Sequence, residues 1–199
     1  MTIDAAFATA RQADPWSVGS DAPRADGDEA GSKSATRLER AWAVLATVLD
    51  PEVPVVSVVD LGIVRDVIEE GESLVVVVTP TYSGCPATEA IESSIVAALD
   101  EAGLGPTRVR MQRAPAWTSD WISDSGKSKL RGYGIVPPGR VDIAEEVPIR
   151  FVPRAVASLA CPRCESKDTE RLAAFGATAC KALWRCRACG EPFEHFKPI

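Results

Sequence analysis

Histidine is almost missing from this chain: His195 is the one example in 199 residues. That scarcity removes whole classes of chemistry. A nucleophilic cysteine or serine needs a base beside it, and one histidine near the end of a cysteine-rich tail is read as a surface or packing residue rather than that base. Glu-X-X-His ligand sets for a di-iron bundle are absent as well. No run approaches the roughly 18 consecutive apolar residues of a membrane span. Met1 to Ala10 carries neither a basic cluster nor an apolar core, so no secretory signal is expected. Thiols paired for metal and no export signal point to the reducing cytoplasm. Positive charge is also short, with a net charge of −6. Residues 1–149 hold thirteen Lys/Arg against twenty-three Asp/Glu, and residues 150–199 hold nine against five. An acidic body argues against nucleic acid as the main partner. The mildly basic end leaves that role open, and it suits an acidic protein surface equally well.

Cysteine is what the chain does have. Cys161 and Cys164, then Cys186 and Cys189, form two Cys-X-X-Cys pairs with 21 residues between the inner two. Four thiolates so spaced match the tetrahedral demand of zinc and read as a zinc ribbon. Rubredoxin-like iron or a redox dithiol are the alternatives. Zinc is preferred because neither pair follows a thioredoxin-like strand–helix pattern.

Upstream, residues 1–34 are rich in Ala, Asp, Gly and Ser and are expected to form a mobile tail. Thr36-X-X-Glu39 has the form of a capping box. Leu38, Ala41, Trp42, Leu45, Val48 and Leu49 then repeat at helical spacing up to Asp50-Pro51. Ile63–Glu70 and Leu74–Thr79 read as strands about a Gly71 turn, the second apolar on both faces and therefore central. A helix is expected from Pro86 to near Gly103 and a strand over Thr107–Arg113, parallel to the second through a right-handed crossover. A short helix over Ser119–Leu130 and a loop over Arg131–Arg140 follow, and Val141–Ala160 leads to the ribbon and is a candidate to pair with it. The expected fold class is α/β, a small mixed three-stranded sheet packed with helices (β-β-α-β) plus a C-terminal zinc ribbon. The expected bounds are 1–34 tail, 35–135 α/β domain, 136–158 linker and 159–199 ribbon.

Cys85 lies in Thr79-Pro80-Thr81-Tyr82-Ser83-Gly84-Cys85-Pro86, between the central strand and its crossover helix. Pro86 suits a first helical position, which would put Cys85 at or beside the N-cap, where the helix dipole favours a thiolate. The loop also lies outside a strand's carboxyl end, where α/β sheets bind ligands. Such a thiol is a candidate nucleophile or iron ligand; the plainer reading is a small buried apolar residue. One cysteine cannot enclose a cluster, so further ligands must come from a second copy of the chain, a small thiol or a client. Sharing one ligand per chain would suit a homodimer. Asp60 and Glu52 are candidate oxygen ligands or hydrogen-bond partners of the loop, with turn-forming and capping as their alternative. Cys180 is surplus to four-coordinate zinc; it is either a small core residue or a second thiol for iron or a client contact.

Asp50-Pro51-Glu52-Val53-Pro54, Ser57-Val58-Val59-Asp60-Leu61-Gly62 and Thr79 to Pro86 together resemble the iron–sulfur assembly family that includes bacterial SufT, over about residues 36–120. Phe175 to Cys186, Pro115-Ala116-Trp117-Thr118-X-X-Trp121 and Gly134-Ile135-X-Pro137-Pro138 resemble the D-subunit family of the phenylacetyl-CoA epoxidase system. The resemblance implies an accessory, non-catalytic protein of aerobic phenylacetate degradation. Its implied work is to help assemble the iron–sulfur cluster of the reductase component, or to bridge reductase and oxygenase subunits. It implies structural zinc and a transient cluster or iron.

Overall fold

The structure, a computed structural model, describes residues 36–82, 84–140 and 159–199. The expected tail over 1–34, and residues 141–158 of the connecting stretch, lie outside the described residues, so the suggested pairing of that stretch with the ribbon is not addressed for them.

Helix α1 spans Arg37–Leu45, and its capping box forms as the sequence implies. Glu39 N donates to Thr36 Oγ1 at 3.2 Å and Thr36 N donates to Glu39 Oε2 at 2.7 Å. The helix stops sooner than its apolar repeat: Ala46 is the C-cap, and Leu49 instead bridges Ser57 in an extended segment. Asp50 explains the change of direction. Its Oδ1 accepts from the backbone N–H groups of Glu52 (2.9 Å) and Val53 (2.8 Å), folding the chain into a side-chain-capped turn.

Strands β1 (Val64–Glu70), β2 (Ser73–Val78) and β3 (Thr107–Met111) form a three-stranded sheet in that order, β1–β2 antiparallel and β2–β3 parallel. The mixed sheet and its central β2 are those expected. Five of the six β2 residues are buried, and Leu74, Val76 and Val78 share a core cluster with Ile91, Ile95 and Leu99 of the helix that follows. The crossover helix α2 spans Thr88–Glu101 and buries Ile91, Ile95 and Leu99 against the sheet. The expected helix over Ser119–Leu130 is two pieces: a 3-10 turn at Ser119–Trp121, then α3 over Asp124–Gly132, capped by Ser123.

The ribbon contains β5 (Thr169–Ala173), β6 (Lys181–Cys186) and β7 (Pro192–Phe196). The expected loop over Arg131–Arg140 needs correction. Ile135–Val136 forms β4, pairing in parallel with Glu194 and His195 of β7. A two-residue strand is too short to leave a period in the sequence, whereas the burial of Ile135 fixes it. The ribbon and the α/β layer share hydrocarbon. Cys180 and Phe196 belong to the same buried cluster as Leu61, Ile91 and Trp117, and Trp117 and Phe196 meet with ring centroids 6.0 Å apart.

Candidate functional site

Four thiols converge in the ribbon. The Sγ atoms of Cys161, Cys164, Cys186 and Cys189 all lie within 4.8 Å of one another, with Cys161–Cys189 at 3.8 Å and Cys164–Cys186 at 3.5 Å. A tetrahedron of metal–sulfur bonds of about 2.3 Å has an edge of about 3.8 Å, so the thiols stand close to the spacing a tetrahedral metal needs. Each knuckle closes alike: Glu165 N donates to Cys161 O and Gly190 N donates to Cys186 O, both at 2.9 Å. Thiols this close cannot titrate independently. The backbone N–H of Cys189, with the thiols of Cys164 and Cys189, lowers Cys186 to about 7. Cys164 accepts a backbone hydrogen bond at Ser166, which favours its thiolate, yet the thiols of Cys189 and Cys186 push it up to about 12.

The second site lies where β2 hands over to α2. Cys85 is half-buried, and its backbone is held by two turns. Its N–H donates to Tyr82 O (3.3 Å), and its carbonyl accepts from Thr88 N (3.2 Å) and Thr88 Oγ1 (2.9 Å). The expected N-cap placement needs correction: α2 begins at Thr88 with Ala87 as N-cap, two residues beyond Cys85. Pro86 starts the preceding turn rather than the helix. What Cys85 has instead is a cavity. Its walls are largely apolar, from residues such as Leu61, Ile63, Ile91 and Met111, and the space inside it open to a water-sized sphere is about 30 Å³. Glu52, Asp50 and Cys180 reach the same cavity. The structure therefore brings together Cys85, Glu52 and Cys180 of the candidate residues.

Asp60 is not among the cavity's lining residues. It is buried with its lone pairs already used: Oδ2 accepts from Lys129 Nζ (2.6 Å), Ser57 Oγ (3.0 Å) and Ser57 N (3.1 Å), and Oδ1 from Ser123 Oγ (3.2 Å). The expectation that Asp60 supplies iron with oxygen is therefore replaced by a framework role, pinning the Asp60-Leu61-Gly62 turn to α3. Burial alone would raise its pKa, but the Lys129 and Ser57 hydrogen bonds outweigh it and hold the carboxyl below 3.8. Gly62 is required in that turn, at φ +65°, because a Cβ there would lie 2.6 Å from Trp121 O.

The acids around the cavity shift the other way. Burial raises Asp50, and burial with the Asp50 charge raises Glu52. Burial also raises the Cys180 thiol, with the nearby Glu52 charge acting in the same sense and Thr178 opposing. Lys181 lowers all three, although it is itself buried and paired with Glu194 at 2.7 Å. Asp50, Lys181 and Met111 are parts of this neighbourhood that sequence reasoning missed. The Asp-Pro-Glu turn was the available signal for Asp50. His195 packs edge-on to Trp184, and burial lowers it to about 4, so it is neutral at pH 7.

Comparison with known proteins agrees with this architecture. Residues 38–111 match the family described as Iron-sulfur cluster assembly protein, and residues 147–197 match the PaaD zinc beta ribbon domain. A protein of Escherichia coli (strain K12), provisionally named as the D-subunit of 1,2-phenylacetyl-CoA epoxidase, is 45% identical over 158 residues. That alignment takes in 79% of this chain and 91% of the relative. The chain belongs to this D-subunit family. Among solved structures, a Bacillus anthracis domain of unknown function, DUF59, is 30% identical with a TM-score of 0.44, covering 47% of this chain and 91% of its own. A Mycobacterium tuberculosis protein associated with Fe-S complex assembly and repair is 32% identical with a TM-score of 0.30, covering 54% and 98%. This chain joins an assembly-type α/β layer to a PaaD-type ribbon whose four cysteines are grouped to hold a metal. No helix among the described residues is long and apolar enough to cross a membrane.

Proposed function

We propose that this protein is an accessory, non-catalytic subunit of a phenylacetyl-CoA epoxidase system, acting in the cytoplasm during aerobic phenylacetate degradation. It assists assembly of the iron–sulfur cluster in the reductase component. Cys85 is the contact for the cargo, and the cargo is iron or an iron–sulfur unit passing through rather than a resident cofactor. Zinc, held by Cys161, Cys164, Cys186 and Cys189, folds the ribbon. The α/β domain over 35–135 carries the cargo site and the ribbon over 159–199 faces the client.

The observation that carries the reading is the placement of Cys85: a half-buried thiol at the carboxyl end of the central strand, opening into an apolar-walled cavity. Such walls exclude bulk water and oxidants while leaving sulfur available. Catalysis of acyl or hydrolytic type fits poorly, because the single imidazole packs on Trp184 in the ribbon. The family membership supplies the client by analogy. Zinc suits the ribbon because its four sulfurs already stand at tetrahedral spacing, and zinc's filled shell asks for nothing more.

The test is reductase maturation in cells carrying Cys85→Ala. The expected outcome is unchanged fold and zinc content in the variant, with a several-fold fall in iron and acid-labile sulfide in the purified reductase. Full reductase clusters beside Cys85→Ala, with stable co-purification of the components, would replace this reading with that of a bridging subunit.

A further inference from the structure

We infer that Cys180 is the second thiol of the cargo site, so that thiolate-ligated iron is held between the α/β layer and the ribbon, with Glu52 as the carboxylate at its side. The inference rests on the reading of Cys85 above and adds a residue that the α/β domain alone cannot supply.

Three observations carry it. First, Cys85 and Cys180, ninety-five positions apart in sequence, line one cavity, and Glu52 lines it with them. Second, Cys180 is fixed there by its own hairpin. Its carbonyl accepts from Lys197 N at 2.9 Å, Lys181 N donates to Thr178 O at 3.2 Å, and its Sγ shares a hydrogen bond with Thr178 Oγ1 at 3.0 Å. Third, Cys180 turns away from the ribbon's own small core of Cys161, Ala182, Trp184, Cys186 and Phe193. It packs in the cluster against which Cys85 also lies. A filler residue would serve in the ribbon core; a thiol that lines one cavity with a second thiol and a carboxylate is a candidate donor set.

The spacing also separates this site from the zinc site. Among the described residues, the ribbon cysteines are the group of three or more such donors that stand within 4.8 Å of one another. Cys85, Cys180 and Glu52 form no such preassembled group; they share a cavity, which suits a cargo that draws the donors inward. Two thiolates and a carboxylate leave a ferrous ion with an exchangeable position. They likewise satisfy half of the four-thiolate demand of a [2Fe–2S] unit, the rest being open to the recipient. On loading, each thiol passes its proton to solvent as its sulfur–iron bond forms, and the iron keeps its oxidation state.

The experiment uses full-length, zinc-loaded protein under anaerobic conditions, given ferrous iron alone or ferric iron with sulfide. Bound iron, bound sulfide and thiolate-to-iron absorbance are measured for wild type, Cys85→Ala, Cys180→Ser, Cys180→Ala and the double variant. Zinc content and thermal midpoint control for folding. Outer-shell partners alone are worth about tenfold or more in metal affinity, so each single variant should bind iron at least about tenfold more weakly, and the double variant more weakly still. Sulfide uptake distinguishes an iron–sulfur unit from a lone ion. Alkylation mapping of the wild type adds a readout free of mutation: iron should protect Cys85 and Cys180 together. If both Cys180 variants bind iron as wild type does, or iron leaves Cys180 alkylation unchanged, the two-thiol site is wrong while Cys85 stands. If wild type and Cys85→Ala take up iron equally, the reading of Cys85 falls with it.

Discussion

The molecule's two thiol sites differ in closure. In the ribbon, four sulfurs face one another at tetrahedral spacing and leave no direction open to a visitor. At the junction of β2 and α2, Cys85 lines a cavity with an open mouth, which Cys180 and Glu52 also reach. The first arrangement suits a metal that stays and holds a fold together; the second suits one that arrives and leaves. The difference teaches that counting cysteines is a weaker guide than asking how many directions around the metal the protein fills.

Removing the ribbon metal breaks this comparison most severely. Ribbons this small bury little, and metal ligation contributes on the order of 10 kcal/mol to modules of their kind. Chelation, or Cys186→Ser, should therefore melt β5–β7. Because Phe196 and Cys180 pack into the α/β core, the loss should also lower the stability of that layer. Zinc quantification with circular dichroism during thermal unfolding checks both. A ribbon that keeps its structure without metal would show that the closed site is not what folds it.

How far the two sites were legible in the sequence follows from their geometry. A closed site made of two short knuckles writes its spacing into the chain, so Cys161, Cys164, Cys186 and Cys189 were readable together. The capping box at Thr36, the central β2 and the α2 crossover were readable for the same reason, being local patterns. The open site draws on Glu52, Cys85 and Cys180, from three distant segments, and no period links them. Asp60 misled because an acidic residue at the head of an Asp-Leu-Gly turn looks the same whether it faces a cavity or Lys129. Helix α1 ended early because the backbone of Val48 and Asp50 pairs instead with Val58 and Val56, and β4 was hidden because two residues carry no pattern. The placement of Cys85 at a cap failed for a similar reason: Pro86 suits the first position of a helix and of a turn alike.

Asp60 sharpens the comparison, since the open site stays small only if this carboxylate belongs to the framework. Asp60→Asn should cost about 1–3 kcal/mol by leaving Lys129 and Ser57 poorly paired, a figure limited by the half-exposed ammonium of Lys129. Its folded carboxyl lies below 3.8, so its contribution is present above that pH and is lost as pH falls through the folded value. Urea denaturation from pH 7 down to pH 3 should thus show wild type and Asp60→Asn converging in acid. Iron binding by Asp60→Asn should match wild type; loss of iron with stability intact would return Asp60 to the site.

The smallest effect distinguishes the two knuckles of the closed site from each other. Residue 190 follows its Cys-X-X-Cys pair as glycine at φ +79°, whereas the equivalent residue, Glu165, holds φ +59° with a side chain. Both N–H groups reach back to the first cysteine's carbonyl, so the turn demands the left-handed conformation whatever residue occupies it. For a residue with a Cβ that conformation costs about 1–2 kcal/mol, partly offset in a Glu165→Gly variant by glycine's larger freedom when unfolded. Glu165→Gly should then raise stability by up to about 1 kcal/mol, and Gly190→Ala should lower it by about 1 kcal/mol. Urea midpoints of the zinc-loaded proteins read both. A Glu165→Gly variant weaker than wild type would mean that the exposed Glu165 side chain, not its backbone, matters to the knuckle.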